Sequence, residues 1–208
     1  MPGRVTGSII FASVLIAGLS HGPIGAAGGG TVQGTVKMTG LASNADAIVY
    51  LQQAPGTFAA PAKRADMDQR SMQFAPHVLP VVVGTTVRFL NSDPTPHNVF
   101  SPDGEKYNLG TWPQGQTKDH VFAKCAKAPC VYVQLCRVHP EMEAYVVVLQ
   151  NPFFATTSKD GQYKIENVPP GTYSVGVWHP KGKSPVKAVT VDTAKPAVVD
   201  FVLGHAGT

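Results

Sequence analysis

Apolar stretches after residue 30 are short and stop at turn-forming residues, and none carries a sustained 3.6-residue period. The chain holds 21 glycines and 18 prolines, enough to interrupt any long helix. Residues 31–37 alternate and read as a half-exposed strand. Residues 47–51 (Ala-Ile-Val-Tyr-Leu) form the continuous apolar run of a buried strand. A Pro/Ala-rich link follows over residues 54–65.

Further strands are predicted at residues 78–83 and 85–90 around Gly84, at 131–135 and at 144–149. Asp93-Pro94, Pro102-Asp103-Gly104 and Pro113-Gln114-Gly115 mark turns between them. From residue 151 onward the rhythm is turn, strand, turn, strand. Turns at 157–161 and 169–171 lead into strands ending near 165 and 178, with two more near 186–191 and 197–202. This pattern implies an all-β chain built of sandwiches.

The N-terminal stretch reads as a secretory leader. Arg4 supplies its positive charge, residues 8–19 its apolar segment, and Gly25-Ala26-Ala27 its small-residue cleavage site. Cleavage after Ala27 would deliver the protein to the periplasm. The apolar segment is shorter than the roughly 20 residues of a spanning helix, so stable membrane insertion is not expected. An uncleaved anchor remains the alternative. The net charge of +4 becomes +3 once Arg4 leaves with the leader. That mild charge permits docking to an acidic partner and provides no stripe for nucleic acid.

Three cysteines are present. Cys125 and Cys130 flank a plausible turn, Ala126-Lys127-Ala128-Pro129, and can reach the roughly 4.4–6.8 Å Cα separation of a disulfide. Cys130 and Cys136 would lie about 20 Å apart on one extended strand. One Cys125–Cys130 bridge and one free thiol therefore suit an exported chain.

The free thiol has unusual neighbours. Cys136-Arg137-Val138-His139-Pro140-Glu141-Met142 places a thiol, an imidazole and a thioether in one run, and Pro140 argues for a loop there. About forty residues earlier, His97 follows the turn Asn91-Ser92-Asp93-Pro94-Thr95-Pro96. Two imidazoles, a thiolate and a weak thioether form the ligand set of a mononuclear Cu(II)/Cu(I) electron-transfer site. The bland alternatives are a buried structural thiol, a solvated loop histidine and a core methionine. His77 is read as a surface or supporting residue, and His120, His179 and His205 as structural or exposed.

Residues 66–150 resemble the cupredoxins, the plastocyanin/azurin-like blue copper proteins. The resemblance is carried by Met72-Gln73-Phe74-Ala75-Pro76, Gly84 through Asn91, His97-Asn98-Val99 and the Cys136–Met142 run. It is strongest to an exported methylamine-utilisation, plastocyanin-like subgroup in which Cys-x2-His-Pro-x-Met occurs. It implies a Greek-key β-sandwich with copper held by His97, Cys136, His139 and Met142. It further implies that Asn98 helps hold the loop and that a neighbouring backbone N–H bonds the cysteine sulfur. Two residues separate His139 from Met142, where many plastocyanin-like proteins have four. The Met142 bond, and with it the spectroscopic type, is left open.

Residues 157–161 and Asn167-Val168-Pro169-Pro170-Gly171-Thr172-Tyr173 resemble a carboxypeptidase-regulatory-like, transthyretin-like sandwich. Gly34-Thr35-Val36 and Val49-Tyr50-Leu51 resemble its first half. The expected organisation is a leader at 1–27, one small sandwich split between 30–54 and 151–204, and a cupredoxin inserted at 66–150. The alternative is two sequential domains, with the first strands belonging to the cupredoxin.

The expected function is transfer of one electron between periplasmic redox proteins, without catalysis. No carboxylate dyad, Ser-His-Asp arrangement or His-x-His pair stands out in the sequence. A copper carrier or metallochaperone, or a red-copper enzyme with an open coordination position, are the alternatives. The redox partner and the oligomeric state are not legible.

Overall fold

The computed structural model describes residues 28–182 and 185–204. The leader expected at 1–27, its cleavage site after Ala27, and His205 lie outside the described residues.

Among the described residues the secondary structure consists of seventeen strands with no helix. The first six are β1 (Gly30–Met38), β2 (Ile48–Leu51), β3 (Ala65–Arg70), β4 (Gln73–Ala75), β5 (Val78–Val82) and β6 (Thr86–Asn91). Then come β7 (His97–Ser101), β8 (Tyr107–Trp112), β9 (Thr117–Val121), β10 (Cys130–Leu135) and β11 (Glu143–Leu149). The last six are β12 (Phe154–Thr156), β13 (Gln162–Val168), β14 (Gly171–Trp178), β15 (Val186–Val191), β16 (Ala197–Val198) and β17 (Phe201–Leu203).

Four sheets form. One runs β5-β11-β10-β7-β8 and another β4-β3-β6-β9. Met67, Phe74, Phe89, Val99, Trp112, Phe122 and Tyr132 fill the core between them. A third sheet runs β12-β2-β14-β15, and a fourth places β13 on one side of β1 and both β16 and β17 on the other. Their shared core includes Val32, Val36, Val49, Leu51, Ile165, Val175, Val177 and Phe201. Strands β1 and β2 thus hydrogen-bond to strands of residues 154–203. Pro80, which lacks an N–H, sits on β5 at the edge of its sheet, where a missing donor costs least.

The unbroken apolar runs have a direct reason. Successive side chains of a strand point to opposite faces. In β2, Val49 and Leu51 enter their own core, while Ile48 and Tyr50 face the other way into a second cluster with Val78, Val147 and Leu149. Strand β11 does the same from the other side, with Ala144, Val146 and Val148 turned into the first core. Both strands therefore pack on both faces, and this cluster joins the two pairs of sheets. Around its edge, the His77 ring lies against Tyr145 and Tyr145 against Trp178, with centroids 5.7 and 5.5 Å apart. His77 is exposed and pairs with Asp46 at 3.2 Å.

Strands β3, β4, β7, β8, β9 and β12 go beyond the sequence pattern. β8 and β9 carry Asn108, Gly110, Lys118 and Asp119, which have little strand propensity. Their pairing with β7 and β6 overrides that local preference. Cys125 and Cys130 are disulfide-bonded with Cα atoms 5.5 Å apart, and Cys136 is free and buried.

His120 on β9 is largely buried. It stacks on Tyr107 with ring centroids 3.8 Å apart, and its Nε2 lies 3.7 Å from Glu105. Burial lowers its pKa, against the opposing pull of Glu105. A histidine held below its unfolded value of about 6.5 stabilises the fold while neutral, and that contribution fades as pH falls through 6.5. His120→Phe should keep the stack and flatten the loss of stability below pH 6.5 in urea melts. Leu149→Ala should cost about 2–5 kcal/mol in denaturant unfolding, because it empties the cluster joining the sheets.

Candidate metal centre

Two separate loops at one end of the first sandwich deliver the donors. The earlier loop leaves β6 at Asn91, which is buried and braces the turn behind it. Its side-chain amide donates to the carbonyls of Thr95 and Trp112, both at 3.0 Å. Its Oδ1 accepts the Asp93 N–H at 3.0 Å. Pro94 and Pro96 restrict the intervening backbone. The chain then enters β7 at His97, which pairs with Trp112 of β8.

The later loop begins where β10 ends. Leu135 pairs with Phe100 of β7, so Cys136 emerges beside the start of that strand. Pro140 and Glu141 form a turn closed by the Met142 N–H bonding the His139 carbonyl at 3.0 Å. Met142 is 1% exposed and packs in the same core as Cys136.

One donor atom each from His97, Cys136 and His139 lies within 4.8 Å of the others. His97 and Cys136 are buried, while His139 is partly exposed. The Nδ1 atoms of the two histidines are 3.0 Å apart. The backbone N–H of Asn98 donates to Cys136 Sγ at 3.4 Å. The Asn98 side chain ties the loops together: its amide donates to Gly110 O at 2.7 Å and Asn108 Oδ1 at 2.9 Å, and its Oδ1 accepts the Arg137 N–H at 3.4 Å. The Arg137 guanidinium lies 5.0 Å over the Phe100 ring.

In the sequence Asp93 reads only as part of a turn. In the structure its Oδ2 lies 2.8 Å from His97 Nε2. The same carboxylate accepts N–H bonds from Ser71 at 2.6 Å and Met72 at 2.9 Å. Burial opposes its ionisation, but those N–H groups and the His97 ring outweigh burial and hold its pKa below the usual carboxylate value. An ionised carboxylate only accepts, so His97 presents Nε2–H to it and Nδ1 is the ring nitrogen left for a metal. Nδ1 is also the atom turned toward His139. The available signal is the aspartate four residues before the histidine, but sequence spacing in a proline-rich loop does not show which way either side chain turns.

The donors are sulfur and nitrogen, which suits a soft or borderline transition metal rather than calcium or magnesium. Of the other histidines, His77 pairs with Asp46 and does not join the cluster. His179 is buried, and its Nδ1 accepts the Lys181 N–H at 3.1 Å.

Comparison with known proteins finds one family match and several structural likenesses. The carboxypeptidase regulatory-like domain family matches residues 140–204. Among solved structures, a purple cupredoxin from Nitrosopumilus maritimus is 28% identical, covering 40% of this chain and 98% of its own, with a TM-score of 0.36. A methionine-to-alanine mutant of amicyanin in its Cu(I) form is 24% identical, over 48% of this chain and 97% of its own, with a TM-score of 0.37. The copper-containing nitrite reductase of Thermus scotoductus SA-01 is 23% identical, over 56% of this chain and 28% of its own, with a TM-score of 0.40. No curated protein matches. The described residues are all-β, and residues 140–204 match the carboxypeptidase regulatory-like domain family.

Asn98→Ala should strand the Gly110 carbonyl and the Arg137 N–H, at a cost of about 1–3 kcal/mol. Denaturant melts should register that loss, and thiol-reactive dye should label Cys136 faster as its loop loosens.

Proposed function

We propose that this protein is an exported mononuclear copper protein that carries single electrons, with His97, Cys136, His139 and Met142 as ligands. The observation that carries the reading is the convergence of a buried thiol and two imidazoles within 4.8 Å, the thiol bonded by the Asn98 N–H. Bound copper would supply a Cu(II)/Cu(I) couple, taking one electron from a reduced donor protein and passing it to an oxidised acceptor.

The chain's own residues favour that task. Both loops are braced by side-chain amides, so the donors are held by the sandwich rather than by the metal, and little rearrangement accompanies a change of oxidation state. Burial of His97 and Cys136 keeps water off the thiol. The partly exposed ring of His139 provides an edge toward a partner. Met142, buried at the end of the loop, would serve as the weak fourth donor. Electron transfer needs no substrate pocket, and we assign no catalysis.

The partners are proposed to be periplasmic redox proteins. The leader pattern at 1–27 and the Cys125–Cys130 disulfide both support an oxidising, exported setting. We also propose that residues 30–54 and 151–204 form one sandwich interrupted by the copper domain at 66–150. The pairing of β1 and β2 with strands beyond residue 154 supports that division. The smaller sandwich would then stabilise or dock the copper domain.

Titration of the mature protein with Cu(II) tests the reading. One equivalent should produce an intense thiolate-to-copper visible band, bleached reversibly by ascorbate and absent in Cys136→Ala. Stoichiometric binding without that band would favour the carrier or open-site alternatives. No binding would leave Cys136 a structural thiol.

A further inference from the structure

We propose that Asp93 is a positioning residue that sets the reduction potential of the site through His97, and that the turn between β3 and β4 holds it in place. This rests on the copper reading of His97, Cys136 and His139.

Asp93 is the acceptor in a three-part relay. Its Oδ2 takes the His97 Nε2–H at 2.8 Å and the Met72 N–H at 2.9 Å, while Oδ1 takes the Ser71 N–H at 2.6 Å. Ser71 and Met72 are consecutive non-glycine residues with φ of 54° and 59°. Left-handed backbone at two such residues is costly, and it persists only when its surroundings enforce it. Here that conformation aims both N–H groups at one carboxylate. The Asn91 Oδ1 bond to the Asp93 N–H fixes the same residue from behind. Asp93 is 8% exposed and His97 fully buried, so water does little to weaken the contact between them.

The electronic consequence follows from charge. A full negative charge accepting the Nε2–H draws that proton from the ring and makes Nδ1 the stronger donor. A stronger donor favours the higher-charged Cu(II) over Cu(I), so an ionised Asp93 lowers the reduction potential. A neutral carboxamide at the same place keeps the shape and removes the charge. Outer partners of this kind change metal affinity by about 10–100-fold. A tenfold loss confined to Cu(II) corresponds to a rise of about 59 mV for a one-electron couple.

The experiment is voltammetry on the copper-loaded mature protein and its Asp93→Asn variant, with Cu(II) and Cu(I) affinities measured beside it. The variant should keep the thiolate-to-copper band, bind Cu(II) at least tenfold more weakly relative to Cu(I), and shift to higher potential. A purely structural role would lower the melting temperature and leave the potential unmoved, and that result overturns the proposal. Absence of the band in the wild-type protein would instead sink the copper reading, and this inference with it. If the variant does not fold, the wild type still decides. Nitrogen-15 NMR of the copper-free protein should show His97 protonated at Nε2 with Nδ1 bare. Protonation at Nδ1 with a bare Nε2 overturns the relay.

Discussion

The donor cluster depends on one short stretch of contact between β7 and β10. His97 opens β7, and Cys136 directly follows β10. The two strands are antiparallel neighbours through Leu135 and Phe100. Residues nearly forty positions apart therefore emerge side by side. Asn98 then locks the two loops, using its backbone N–H on the sulfur and its side chain on Gly110, Asn108 and Arg137. Every polar atom of that side chain is spent on backbone or on another amide. Neither short loop would hold a metal geometry by itself; each borrows rigidity from the sheets behind it.

The same logic operates one layer out. The carboxylate of Asp93 connects a third segment, the β3–β4 turn, to the ring of His97. The site is thus held by a hydrogen-bonded shell drawn from three loops, each anchored in strands whose alternate residues fill one core. Dense packing makes such a shell stiff, because small displacements meet close-packed neighbours at once. A donor set that moves little between oxidation states is the requirement of a one-electron carrier.

The joint between the two pairs of sheets is made of ordinary apolar contact. Ile48 and Tyr50 on one side meet Val78, Val147 and Leu149 on the other. Strands that pack on both faces cannot present polar residues to water, which explains the unbroken apolar runs at 47–51 and 144–149. Their burial against each other, more than any ion pair, couples the sandwich carrying the donors to its neighbour. The exposed Asp46–His77 pair at the edge is wet and contributes little by comparison.

Much of this was legible in the chain. Short apolar runs cut by glycine and proline excluded helices, because periodicity and turn chemistry act locally. The Cys125–Cys130 pairing was legible for a similar reason, since two cysteines across a tight turn have few other geometries. The thiol and two imidazoles that converge were also visible in the sequence as candidates. Strands β8 and β9 were not, since Asn108, Gly110 and Lys118 extend only because β6 and β7 offer them partners. Nor was Asp93 as a partner of His97. Sequence by itself determined the all-β class, the disulfide and the donor chemistry. Tertiary structure alone decided which side chains meet, which ring nitrogen of His97 faces Asp93 and how buried the thiol is. Those properties are distances and burials between segments remote in the chain, and only the packing of the sheets sets them.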